Sequence, residues 1–163
     1  MSGSIEQLSG AQASGHSYAI CVARWNADIT EPLLEGALSA LISHGAVREE
    51  IAIHRCAGAF ELVGATARAV ETGVDGIIAI GCLIRGDTDH YKYIAGPVSN
   101  ALATLSGQAA ARARPVAIAF GLLTVREREQ AEERAEPGPG NKGAEVALAC
   151  VEQVNLLRTM RVG

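Results

Sequence analysis

Gly76-Ile77-Ile78-Ala79-Ile80-Gly81-Cys82-Leu83 is an unbroken apolar run near the middle of the chain. A strand with one face in water alternates apolar and polar residues, whereas a continuous run is what a strand needs when helices cover both faces of its sheet. Outward from this run, the chain alternates between short apolar segments and longer segments of helical period. Ser17–Arg24 and Glu50–Cys56 before it, and Pro115–Thr124 after it, predict three further strands. Asp28 is a candidate helix N-cap, with Glu31 three residues on in a capping-box-like pair, and Ile29, Leu33, Leu34, Ala37, Leu38, Leu41 and Ile42 recur at helical spacing up to Gly45. Phe60–Gly73, His90–Gln108 (with Pro97 expected to bend it) and Val125–Ala135 predict three more helices. Glu136–Gly140 is a turn, and Asn141 opens a last helix expected to run to about Arg161. Strands alternating with helices imply right-handed βαβ units, hence an α/β fold: a three-layer αβα sandwich on a four-stranded parallel sheet. Residues 1–16, rich in Gly, Ser and Gln, are expected to be a flexible tail, and 17–163 a single domain.

Composition narrows the function classes. The 163 residues are 48% hydrophobic and 20% charged, a globular balance. Aromatics are only 4% and the net charge is −4, with Arg112 and Arg114 the nearest approach to a basic cluster, which argues against nucleic-acid binding. The four cysteines, Cys21, Cys56, Cys82 and Cys150, form no C-x-x-C pair and each falls in an apolar segment, so buried, reduced thiols are expected. The first residues lack the basic start and apolar stretch of a signal peptide, and no apolar run approaches the ~20 residues of a membrane span, so a cytoplasmic protein is expected.

In open α/β sheets, ligands bind beyond the carboxyl ends of the strands. Gly86-Asp87-Thr88 follows the central strand and precedes a helix that begins near His90, an arrangement of close backbone, helix N-terminus and hydroxyl that suits a single phosphate. Asp87 and Thr88 are equally placed to be plain helix caps. His90 can exchange protons near neutral pH, or simply face solvent. Trp25, the single tryptophan, is either core or a platform for a flat heterocycle. Glu61 suits a helix start and could also accept hydrogen bonds from ligand OH or NH groups. Arg134 and Lys142 on charged helices are ordinarily solvated. His16, His44 and His54 show no metal-ligand spacing with His90, so no metal site is expected. Gly138-Pro139-Gly140-Asn141-Lys142-Gly143 matches G-x-G-x-x-G but follows a helix rather than a strand, the wrong setting for a dinucleotide.

Taken in order, these segments resemble the lumazine synthase family. The pattern is an Arg-aromatic-Asn turn after the first strand (Arg24-Trp25-Asn26), a Gly-small-Phe-Glu turn (Gly58 to Glu61), an I-R-G-[DE]-T-x-H loop (Ile84 to His90), a Phe-Gly-x-Leu-Thr strand (Phe120 to Thr124), and Glu-Gln-Ala-x-x-Arg-Ala and Gly-Asn-Lys-Gly (Glu129 to Ala135, Gly140 to Gly143). The resemblance runs from about residue 18 to 158, each motif weak alone and the six together specific. The chain departs from it at Ala57 and Val63, where the family often has proline, and at Trp25, commonly Phe. The resemblance implies a flavodoxin-like fold and the condensation of 5-amino-6-(D-ribitylamino)uracil with 3,4-dihydroxy-2-butanone 4-phosphate in riboflavin biosynthesis, without cofactor or metal. It implies that Trp25 stacks on the pyrimidinedione, with Asn26, Ala59, Phe60, Glu61, Leu83 and Ile84 around the ring and ribityl chain. Gly86, Asp87, Thr88 and Arg134 would hold the phosphate, and His90 would shuttle protons. Phe120 and Lys142 would complete the ring pocket from a neighbouring subunit of a pentamer, the unit from which decamers and hollow 60-subunit capsids are built. Riboflavin synthase is a candidate partner. A non-catalytic flavin-binding or shell-forming member of the same fold is the alternative.

Overall fold

The computed structural model describes residues 12–160; residues 1–11 of the expected tail, and Arg161 at the expected end of the last helix, lie outside the described residues. The elements are β1 (Tyr18–Ala23), α1 (Ala27–Ser43), β2 (Ile51–Cys56, preceded by a short 3-10 turn), α2 (Ala59–Val70), β3 (Gly76–Ile84), α3 (His90–Ala110), β4 (Ala117–Val125), α4 (Arg128–Ala135) and α5 (Lys142–Thr159). All four strands are parallel, in the order β2-β1-β3-β4. The three-layer α/β sandwich expected from the sequence is present.

The side-chain alternation of β1 divides the core. Tyr18, Ile20 and Val22 join one apolar cluster with α1, α4 and α5, while Ala19, Cys21 and Ala23 join the other with α2 and α3. β3 is split in the same way, Ile78, Ile80 and Cys82 against Ile77 and Ala79, which is why its sequence shows no polar alternation.

Several local expectations are corrected. Asp28 is not the cap of α1: Asn26 occupies that position, and Asp28 pairs instead with Arg128 at the start of α4. Glu31 completes no capping box; it forms a two-point ion pair with Arg55 on β2, which lowers the Glu31 pKa chiefly through that hydrogen bond. Val125 ends β4, paired in register with Ile84, and α4 begins only at Arg128, where Glu127 and Gln130 form a true capping box. α3 runs as one helix past Pro97 to Ala110, two residues beyond its expected end. Cys21, Cys82 and Cys150 are buried, but Cys56 is half-buried. At the end of the expected tail, Ala13 is fully buried and donates its amide to the His44 carbonyl (2.9 Å), and Asn155 on α5 donates to the Gln12 carbonyl (2.9 Å), while Gln12, Ser14 and Gly15 are exposed.

The G-x-G-x-x-G run serves packing. Asn141 is buried; its Oδ1 accepts from the Ala144 amide (3.1 Å), and its amide nitrogen donates toward the carbonyls of Ala135 (3.0 Å), Pro32 and Glu136 (both 3.2 Å). α1, α4 and α5 are thereby tied at one corner, and Gly143 sits against the backbone of Leu33.

At the opposite end of the sheet, the side chain of Asp75 is 5% exposed and accepts from the Ser17 amide (2.8 Å), Arg114 (3.3 Å) and Arg158. Burial works against its charged form, but these donors outweigh it and hold the carboxyl below its ordinary range. A depressed carboxylate contributes stability that is present above the unfolded-state value, near 3.9, and lost as pH falls through the folded-state value. Asp75→Asn is therefore expected to lower stability by about 1–2 kcal/mol at pH 7, discounted because both arginines are well exposed. The gap to wild type should narrow below about pH 4 in pH-dependent denaturation; a gap independent of pH would contradict the assignment.

Candidate active site

A cleft of about 530 Å3 opens beyond the carboxyl ends of β1 and β3, between the N-termini of α2 and α3. Each wall follows from a local feature. After β1, the Arg24 amide donates to the Cys56 carbonyl (2.9 Å) and the Trp25 amide to the Ala57 carbonyl (3.0 Å), so the turn is held against β2 and presents Trp25 and Asn26 to the cleft. The Ala57 contact uses a backbone carbonyl, which proline would offer equally, so the departure from the family pattern there keeps this bond. Trp25 is 73% exposed, so it is not core. Gly58, Ala59, Phe60 and Glu61 form the start of α2 on one side. A Cβ on Gly58 would lie 3.3 Å from a Glu61 carboxylate oxygen and 3.9 Å from the Trp25 Cβ, so glycine keeps the gap between these two side chains open.

Cys82, Leu83 and Ile84 at the end of β3 form the floor. Burial pushes the Cys82 thiol up to about 11, so it stays protonated at neutral pH and offers no nucleophile. Gly86 and Thr88 lead into α3, where His90, Tyr91 and Ile94 complete the wall. Asp89 takes the cap position of α3 without a side-chain hydrogen bond to the helix amides and pairs instead with Lys92 (2.9 Å), while the His90 amide makes a long contact (3.4 Å) with the Thr88 hydroxyl. The capping role open to Asp87 is thus not taken up. A Cβ on Gly86 would meet nothing within 4 Å, so the backbone at this loop is open to an approaching group. An aromatic face and a helix N-terminus with little side-chain capping border the same cleft, which can accept a flat heterocycle and an anion together.

Ten of the residues singled out in the sequence line the cleft: Trp25, Asn26, Ala59, Phe60 and Glu61 on one side, Leu83, Ile84, Gly86, Thr88 and His90 on the other. Four do not. Asp87 is exposed outside it. Phe120 lies mid-strand on the edge strand β4, about half exposed, beside a separate hollow of about 190 Å3. Arg134 caps the Gln130 carbonyl on α4 (2.9 Å), and Lys142 pairs with Glu145 on α5 (2.6 Å). Within one chain these three basic and aromatic groups are not brought to the cleft. Cys82, Tyr91 and Ile94 were not singled out, although Ile94 follows His90 by one helical turn and its place on the same face was readable.

The 6,7-dimethyl-8-ribityllumazine synthase family model matches residues 15–158. Curated relatives bearing the name 6,7-dimethyl-8-ribityllumazine synthase include one from Myxococcus xanthus, 44% identical and covering 88% of this chain and 86% of that protein. Another, from Anaeromyxobacter dehalogenans, is 43% identical with 90% and 88% covered, and a third, from Chlorobaculum tepidum, is 38% identical with 96% and 99% covered. With the family model spanning the sandwich and the cleft alike, the chain belongs to the 6,7-dimethyl-8-ribityllumazine synthase family.

Proposed function

We propose that this chain condenses 5-amino-6-(D-ribitylamino)uracil with 3,4-dihydroxy-2-butanone 4-phosphate to give 6,7-dimethyl-8-ribityllumazine, releasing phosphate and two waters. The carrying observation is the exposed face of Trp25 and the lightly capped α3 N-terminus on one cleft, a place for a pyrimidinedione next to a place for a phosphate. The aminouracil's primary amine attacks the ketone carbon, and loss of water leaves an imine. Phosphate departs from C4 as the C3 proton is lost. The enol so formed tautomerises to a second carbonyl, which the ribitylamino nitrogen attacks, and a second dehydration closes the ring.

Trp25 stacks on the ring, and Ala59, Phe60, Leu83 and Ile84 frame it. Asn26 stands at the ring end, and the Glu61 carboxylate accepts from ring NH or ribityl OH groups. Gly86 and Thr88 receive the phosphate at the α3 N-terminus, with Asp87 contributing through its backbone between them while its carboxylate stays outside the cleft. His90, at the first position of α3, carries protons between the reacting nitrogen and oxygen atoms. The larger contribution is holding two reactants in register.

The cleft of one chain lacks Arg134, Phe120 and Lys142, and we place these in the cleft of a neighbouring copy in a pentamer-based assembly, working in the cytoplasm. Arg134→Ala is accordingly expected to raise KM for the butanone phosphate about tenfold or more while leaving KM for the aminouracil near wild type. Co-assembled Arg134→Ala and His90→Ala chains should regain activity, because hybrid clefts carry one intact residue from each. An unchanged KM for the phosphate would count against this role. The function itself is tested by mixing the purified protein with both substrates and following lumazine absorbance and fluorescence. Formation faster than the spontaneous reaction supports it; ligand binding by assembled protein with no acceleration would point to the non-catalytic alternative.

A further inference from the structure

We propose that Asn26 is a positioning residue that fixes the Trp25 ring over the cleft, an inference that rests on the reading of the cleft given above. The Trp25 side chain is largely exposed, so packing contributes little to its orientation. Its aim must come from the turn that carries it. On one side, the Arg24 and Trp25 amides tie that turn to the end of β2 and the loop beyond it. On the other side stands Asn26, with φ 60° and ψ 49°, the only non-glycine residue among those described with positive φ. Asparagine tolerates this left-handed region better than most residues.

What the side chain does there is unusual for its place. An asparagine at the cap of a helix ordinarily accepts a hydrogen bond from the first turn. Asn26 makes no such bond. Its backbone carbonyl begins α1 by accepting the amides of Ile29 and Thr30 (both 2.9 Å), and its side-chain amide reaches across the sheet to donate to the Cys82 carbonyl on β3 (3.0 Å). Cys82 is itself in the floor of the cleft. The turn is therefore held at both edges, to β2 through main-chain amides and to the central strand through one side chain, with Trp25 between the two attachments. The amide donor of Asn26 is used on protein, so its effect on a bound ring is exerted through Trp25.

Asn26→Gly keeps the left-handed turn and removes the attachment to β3. Asn26→Asp keeps the shape but sets a carboxylate against the Cys82 carbonyl with nothing to donate. Trp25 is the single tryptophan, so time-resolved fluorescence anisotropy reads its ring alone, without substrate. In the wild type the ring is expected to show little fast local motion despite its exposure; free local rotation there would overturn the proposal without any variant. In both variants the amplitude of fast motion should rise clearly. KM for the aminouracil should rise roughly three- to tenfold, the range one lost hydrogen bond allows, with KM for the butanone phosphate within about twofold of wild type. A fall in thermal stability with unchanged anisotropy and unchanged KM would make Asn26 merely structural and overturn the proposal. Failure of the wild type to turn over would overturn the reading of the cleft instead, and the substrate-free anisotropy tells the two failures apart.

Discussion

Gly143→Ala is expected to cost about 3 kcal/mol or more of stability, a large share of the ~5–15 kcal/mol typical of a folded domain. The new Cβ would lie 2.6 Å from the Leu33 carbonyl carbon, 2.8 Å from its Cα, and closer still to its oxygen. These are backbone atoms inside α1, with no rotamer to give way. The two helices would have to separate, and Asn141, whose side chain bridges α1, α4 and α5 two residues earlier, would lose its partners with them. For a chain of this size the expected loss is roughly 6–12 °C in Tm by calorimetry. A Tm within about 2 °C of wild type would show that the α1–α5 seam adjusts far more easily than close packing allows.

His90→Ala is expected to lower kcat on the order of 100-fold and still leave turnover above the spontaneous reaction. General acid–base transfer typically contributes ~10²–10⁴-fold, while holding two reactants in register can contribute more. The variant should fold normally, because His90 is exposed at the first turn of α3 and its side chain has no hydrogen-bond partner among the described residues; its amide reaches toward Thr88. Pre-steady-state and steady-state rates on the assembled variant check this. Complete loss of catalysis in a folded, assembled protein would mean that proton transfer, and not positioning, carries the reaction.

The layered fold was readable because its signal is local. The run Gly76–Leu83 has no polar residue, and only a strand covered on both faces tolerates that. Where the reading failed, the deciding contact was distant in sequence. Asp28 has the chemistry of a cap, but Arg128, a hundred positions on, takes its carboxylate, and the short β1–α1 turn leaves the cap position to Asn26. Val125 looked like the start of a helix until its register with Ile84 extended β4 by one residue. The cleft itself divides in the same way. Trp25, Glu61 and the Gly86–His90 loop were legible because each lies in the turn or the first helical turn after a strand's carboxyl end. Phe120, Arg134 and Lys142 were named by motif alone, and a motif carries no distance.

The seam between α1 and α5 also sets the order in which the chain can finish folding during synthesis. β1, with every residue buried, has its second neighbour in β3, which begins at residue 76. α1 is complete by residue 43, yet the helix that covers its apolar face begins only at residue 142. At about 5–20 residues per second, α1 waits roughly 5–20 s for its partner. One face of the sheet can be roofed by α2 and α3 while the ribosome is still working, but the other, with α1 in place before α4 and α5, stays only partly covered until α5 emerges. Through that interval the nascent chain displays the apolar side of α1 to whatever meets it at the tunnel exit, and the holding factors that bind there are left to keep it from its neighbours.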